Sequence, residues 1–330
     1  MADATVLSAE HRKENFMQEK NKMSMEGFCK CVQMDFQRML GNSYSVNVTD
    51  VTKTNGVKLK GLVILAPNQN ISPTIYLDYF YQLYCENQAD DDSLKDIEMA
   101  IYRSYLESNN TSKMDMSWFM DWSKVKDRIC SKVINYDSNR ELLMKIPHIR
   151  ILDLAVVFYY SYYDEVMGSG TIQIYDNHLE MWGVRKEELL EVAKKNTPNL
   201  FPSVVSSMVE MAMSFLGTGE LSMEEARACE AGMPMYIVTN KQKVYGAINL
   251  FNVELLRDFA NLKNKCNFWI IPSSLHEVLL VPDDGNVGAA ELLDMVTEVN
   301  STQVMPEEVL ANSIYKFVYA TGEIRLEASR

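Results

Sequence analysis

Most of the short patterns that name a chemistry are missing from this chain. It has no run of eighteen apolar residues, so no membrane-spanning helix is expected. The first 25 residues are charged and dotted with methionine, without an apolar core of signal-peptide length, which points to a cytoplasmic protein. Cysteine is sparse: six scattered thiols, of which only Cys29 and Cys31 are close. A zinc site needs two ligand pairs at recognisable spacing, so no metal site is expected and the thiols are read as reduced. The four histidines are His11, His148, His178 and His276. His11 falls in the charged lead-in, which leaves three for any imidazole chemistry. There is no phosphate-binding loop, dinucleotide fingerprint, Gly-x-Ser-x-Gly elbow or His-Glu-x-x-His helix. His276-Glu277 is followed by Leu280 where a zinc helix would need its second histidine. Basic charge is outweighed as well, with 32 Lys and Arg against 45 Asp and Glu and a net charge of −13. Such a surface repels phosphate backbones, so nucleic acid is not an expected partner. No pattern names a cofactor.

What is present is apolar mass. Of the 330 residues, 47% are hydrophobic, which suits one large or two ordinary domains. A chain of this length buries roughly three quarters of its unfolded surface and needs no disulfides for its core. The most informative stretch is Cys266 to Gly285, with two apolar runs, Phe268–Ile271 and Val278–Val281, around a polar centre. Short runs rich in β-branched and aromatic residues, broken by Pro and Ser, read as strands. A two-residue turn at Ser274-Leu275 would place Ser273 opposite His276, Ile271 opposite Val278 and Trp269 opposite Leu280. Because side chains alternate, both faces of that hairpin are apolar, and it should lie inside a sheet covered on both sides.

Along the rest of the chain, Phe28, Val32, Phe36 and Leu40 recur every four residues and mark a helix over Met25–Leu40, ended by Gly41. Asn55-Gly56 between two valine-rich segments signals a hairpin. Ser93–Glu107 and, with a break near Trp122, Trp118–Lys132 read as helical. The apolar run Ile149–Tyr163 fits a long buried strand or a helix start; the following Gly168-Ser169-Gly170 favours a strand in a hairpin. Helices are expected at 177–182, 186–196 and 203–215. Residues 217–232 are the linker candidate, which divides the chain into a lead-in (1–25), an N-terminal region (26–216) and a C-terminal region (233–330). In the C-terminal region, strands at Met235–Thr239 and Val244–Phe251 precede a helix at Val253–Leu262, the central hairpin, a second helix and a closing hairpin. The expected class is α+β, with mixed or antiparallel sheets covered by helices and a C-terminal β-β-α-β-β-α-β unit.

One set of residues could carry catalysis. Ser273 as nucleophile, His276 as base and Glu277 or Asp283 as orienter would form a hydrolase constellation at the hairpin mouth. Alternation turns Glu277 away from His276, and a polar turn whose hydroxyls and imidazole satisfy backbone groups accounts for the same residues. Binding roles are open to Ser274 and to His178 with Trp182, which sit together in HLEMWGV. Asp283 beside Asp284 has the charge for a hard cation, although carboxylates at a helix start are ordinary.

Several blocks carry a resemblance: TNGVK at Thr54–Lys58, NISPTIYL at Asn70–Leu77, PHIRILDLAVVFY at Pro147–Tyr159, HLEMWGV at His178–Val184 and IIPSSLHEVLLVPDDG at Ile270–Gly285. Over roughly residues 26–326 the chain resembles the bacterial family called domain of unknown function 5688. Its C-terminal half is also similar to domain of unknown function 1444. The resemblance implies one architecture rather than a fusion, and it brings no activity, cofactor or site residue with it. The functional expectation is a non-catalytic binding or protein-interaction module with a protein or small-molecule partner; the alternative is a hydrolase using Ser273 and His276.

Overall fold

The computed structural model describes residues 22–67, 72–87, 90–108, 117–164, 168–209 and 234–330. Most of the lead-in and the whole of the 217–232 linker lie outside the described residues. Contacts group the chain into two compact units. The first is drawn from the described residues up to 108. The second takes Thr54–Val57 and nearly everything from residue 117 onward. Among the described residues, no helix is long and apolar enough to cross a membrane.

The first unit is a three-stranded antiparallel sheet with helices. Helix α1 (Met25–Leu40) starts where the Ser24 hydroxyl accepts from Gly27 N–H at 3.2 Å and stops at Gly41, whose φ of 82° breaks the helix. Its stripe of Phe28, Val32 and Phe36 is buried against strands β1 (Ser45–Thr52) and β2 (Lys58–Leu65) and against helices α2 (Leu77–Glu86) and α3 (Asp91–Ser108). Strand β3 (Thr74–Tyr76) completes the sheet in the order β1-β2-β3. The Asn55-Gly56 signal marks the hairpin as expected: both residues adopt positive φ, 61° and 70°.

The second unit holds two antiparallel sheets. A four-stranded sheet joins β4 (Ile129–Asn135), β5 (His148–Ile151), β6 (Leu154–Asp164) and β7 (Gly168–Gln173) around β6. The six-stranded sheet runs β13-β12-β10-β11-β9-β8, from Glu323–Ser329, Ser313–Val318, Phe268–Pro272, Val278–Pro282, Tyr236–Asn240 and Ser203–Ser207. The fold is α+β, and the hairpin β10–β11 is central in its sheet. One face of the hairpin presents Phe268, Ile270, Val278 and Leu280 to helix α6 (Val253–Leu262) and to the apolar residues of β4 and β6. The other presents Trp269, Ile271 and Val281 to helix α7 (Ala289–Thr302), through Leu292, Leu293 and Val296. Burying each such aliphatic side chain contributes about 1.5–3 kcal/mol, so this two-faced hairpin is a main source of the unit's stability.

Four expectations are corrected. The hairpin register is slipped by one residue: Ile271 pairs with Leu279 and Trp269 with Val281, because the connection is the five residues 273–277 rather than a two-residue turn. Leu275 forces the longer loop, since its side chain is 3% exposed and its N–H donates to Glu308 O at 2.9 Å. Val244–Phe251 is not a strand but a tight turn followed by a 3-10 helix over Gly246–Phe251. Asn240 closes that turn by accepting from Gln242 and Val244 N–H at 3.1 and 3.2 Å. Ser203–Ser207 is a strand rather than a helix, paired with β9 across the 217–232 segment. Ile129–Lys132, expected as the end of a helix, instead opens the strand Ile129–Asn135, which is buried on both faces, and burial overrides the helical spacing. The run 149–163 is strand, as expected, but Leu152 at φ 57° and Asp153 break it into β5 and β6.

Helices α4 (Asp176–Trp182) and α5 (Lys186–Leu200) complete the unit. α5 is fastened to β4 and the turn before it by Asn196, which donates to Lys126 O and Ile129 O at 2.8 and 2.9 Å, and by Thr197, whose hydroxyl accepts from Ser131 N–H at 3.0 Å.

Candidate functional site

The loop between β10 and β11 carries most of the residues singled out above. Ser273 donates its hydroxyl to Glu277 Oε1 at 3.4 Å. The Ser274 hydroxyl accepts from His276 N–H at 3.0 Å, and Ser274 N–H donates to Glu277 O at 3.2 Å. His276 turns away from this serine pair. Its Nδ1 accepts from Tyr245 N–H at 3.2 Å, and its Nε2 lies 3.5 Å from Glu308 Oε1. The ring lies nearly parallel to Tyr245, at 13° and 5.6 Å between centroids. Lys132 Nζ sits 4.3 Å from the centroid of that tyrosine ring. Ser273 and His276 therefore share a loop but no hydrogen bond, and the carboxylate facing the imidazole is Glu308.

Tyr245 holds this arrangement from a strained position. Its φ of 54° is left-handed, which costs a bulky residue about 1–2 kcal/mol. The next residue, Gly246, leaves no room for a side chain: a Cβ there would lie 2.5 Å from both His276 O and Thr239 Oγ1. Glycine is needed so that the turn can press against the hairpin loop.

The other candidates lie elsewhere. Asp283 pairs with Lys316 at 2.6 Å, and Lys316 Nζ stands 4.3 Å from the Trp269 ring centroid. Asp284 accepts from Asn286 N–H and Nδ2 at 3.0 and 2.8 Å. The two neighbouring carboxylates thus hold separate protein partners. Among the described residues, no group of three or more His, Cys, Asp and Glu is placed to hold a metal ion. His178 and Trp182 do meet, with ring centroids 5.6 Å apart, in an aromatic corner with Phe119 and Tyr175. Trp182 Nε1 donates to Phe119 O at 2.7 Å, and His178 Nδ1 accepts from Tyr175 N–H at 3.2 Å. Burial holds the imidazole of His178 below its ordinary pKa.

A polar cavity of about 570 Å³ opens elsewhere in the second unit. Its wall includes Asn55, Asp153, Asn300, Asn312, Ser313 and Arg330. Asp153 accepts from the hydroxyls of Ser313 at 2.6 Å and Tyr315 at 2.8 Å. Burial first, and the Asp153 charge second, raise the Tyr315 phenol well above its usual pKa, so it stays a donor. Asn300, 7% exposed, donates Nδ2 to Ala311 O and Asn312 Oδ1, while its Oδ1 has no partner. The segment 305–312 links the two places: Pro306 and Leu310 line the cavity, while Glu308 faces His276.

A second cavity, of about 470 Å³, is lined by Leu190, Phe201, Ile248 and Phe251, with Asn240 and Asn249. Asn249 already donates to Thr239 O and Gly246 O and accepts from Ser203, so its polar groups face protein partners.

Asp153 carried a signal in the sequence, as one of only two charges in the apolar run 149–163. Glu308, Tyr245 and Asn300 carried none, because each acquires its neighbours from a distant part of the chain.

No curated protein and no solved structure matches this chain. A family model does match, over residues 25–318, which span both units. The chain belongs to the family of unknown function DUF5688.

Proposed function

We propose that this protein is a non-catalytic binding module whose partner, a small molecule or a side chain of another protein, enters the polar cavity of the second unit. One observation carries the reading: His276, the histidine nearest a candidate nucleophile, has both ring nitrogens engaged, one by Tyr245 N–H and one by Glu308. A general base must lie within hydrogen-bond reach of the proton it takes, and the Ser273 hydroxyl is bonded to Glu277 instead. The cavity volume falls in the range of small-ligand sites, about 300–1,000 Å³. Five free thiols among the described residues support a working place in a reducing cytoplasm.

The hydrolase reading keeps one observation in its favour, the imidazole–carboxylate contact at 3.5 Å between His276 and Glu308. A fluorophosphonate probe separates the two. The binding reading expects no labelling of Ser273, and Ser273→Ala and His276→Ala variants that fold normally. Labelling at Ser273 that disappears in His276→Ala would establish the hydrolase instead.

A further inference from the structure

We infer that the polar cavity binds a small organic cation with N–H donors, an ammonium or guanidinium group, with the Asp153 carboxylate as its counter-ion. The inference rests on the binding reading above and names the ligand class for the same cavity. Two features of the wall point to positive charge.

The first is Asp153 itself. It is half-buried, and its two hydrogen-bond donors are neutral hydroxyls. No Lys, Arg or His nitrogen among the described residues pairs with it. A carboxylate has about four lone-pair sites, and two are taken, so it can receive further donors. The second is the C-terminal end of α7. Asn300, Ser301 and Thr302 bring the last turn of that helix to the cavity, and the turn carries no basic residue. A helix C-terminus presents about half a negative charge, which a cation neutralises.

The opposing charges are accounted for. Arg330 lies in the wall, but its guanidinium is held by Asp294. Asp137, also in the wall, is paired with Arg140. The uncompensated charge in the cavity is therefore that of Asp153. An anion would face this carboxylate and the helix end together. A neutral polyol would leave the carboxylate without its counter-ion. The net charge of −13 adds a long-range field that draws cations to the protein.

Calorimetric titration of the full chain tests this with defined probes. Putrescine, spermidine and agmatine are the cations; 1,4-butanediol and succinate are the neutral and anionic controls. We expect heat from the amines, none from the controls, and weakening with added salt. Asp153→Asn should reduce amine affinity about tenfold or more, the worth of a hydrogen bond to a charged group. Ser138→Trp, an exposed position in the cavity wall, should block the cavity without altering Asp153, and it serves if Asp153→Asn folds poorly. Nα-acetyl-lysine amide and an arginine peptide distinguish the source. Tighter binding of these would identify a protein side chain as the natural ligand, and tighter binding of spermidine a free amine. Succinate or the diol binding as well as the amines, or amine binding that survives both substitutions, would overturn the ligand class while leaving the binding reading in place. Calcium or magnesium binding that displaces the amines would overturn it too. Ser273 labelling with no binding of any probe would end both.

Discussion

Asn55 offers the sharpest test of how the second unit is held together. Its side chain makes three hydrogen bonds: Nδ2 donates to Pro306 O at 2.9 Å and to Val309 O at 2.7 Å, and Oδ1 accepts from Asn139 Nδ2 at 2.8 Å. Its backbone N–H donates in return to Asn139 Oδ1 at 2.7 Å. At about 1 kcal/mol for each of the two partly buried bonds and less for the exposed one to Pro306 O, removing the side chain should cost about 2–3 kcal/mol. Asn55 also sits at φ 61°, ψ 22°, where alanine pays a further penalty of about 1 kcal/mol and glycine does not. Asn55→Ala should therefore destabilise the unit by about 3–4 kcal/mol, and Asn55→Gly by about 1 kcal/mol less. A double-mutant cycle with Asn139→Ala should return a coupling of about 1 kcal/mol. The assay is urea unfolding followed by tryptophan fluorescence. All four tryptophans, Trp118, Trp122, Trp182 and Trp269, belong to the second unit, so the signal reports on that unit. An Asn55→Gly variant within about 0.5 kcal/mol of the parent, or a coupling near zero, would show that these hydrogen bonds do not hold the unit together.

Three further outcomes are expected. Gly246→Ala should destabilise the second unit by about 3 kcal/mol in the same assay, because its Cβ would overlap His276 O and Thr239; a neutral substitution would contradict the close approach. In the first unit, burial first and Asp35 second raise Glu98 to about 7, and its Oε1 is buried without a partner. A folded pKa above the unfolded value means the group's stabilising contribution is present below about 4.5 and is lost as pH rises through 7. Because Glu98 is partly exposed, the discounted effect is about 1 kcal/mol, so Glu98→Gln should slow hydrogen exchange in α3 at pH 8 and change little at pH 4. The reverse pH dependence would exclude this account. Lastly, ¹⁵N NMR should find the neutral His276 ring protonated on Nε2, since Nδ1 accepts from Tyr245; the Nδ1–H tautomer would contradict the hydrogen bonding described.

How much of this was legible in the sequence depends on the range of the interaction. Features set by neighbouring residues were: the four-residue spacing in α1, the Asn-Gly turn, and the two apolar runs that became the centre of a covered sheet. Features set by partners far along the chain were not. The pairing of Ser203–Ser207 with β9 crosses the 217–232 segment, so local spacing suggested a helix there. The β10–β11 register failed by one residue because Leu275, apolar within a polar turn, is drawn into the core and lengthens the loop. That slip matters for function, since the notional facing of Ser273 and His276 depended on the shorter turn. Within the loop, the sequence identified polar residues that do cluster, but their partners Tyr245 and Glu308 come from a strained turn and from residue 308. Asn55 is the extreme case: its turn was readable, while its contacts 84 and 251 residues away were not.

The most direct test of a binding cavity anchored by Asp153 is a crystal structure of the protein grown with saturating spermidine. Ligand density is expected in the cavity, with a nitrogen about 2.7–2.9 Å from an Asp153 oxygen and the 273–277 loop unchanged. Density for the ligand at the 273–277 loop instead, with nothing but water against Asp153, would contradict it.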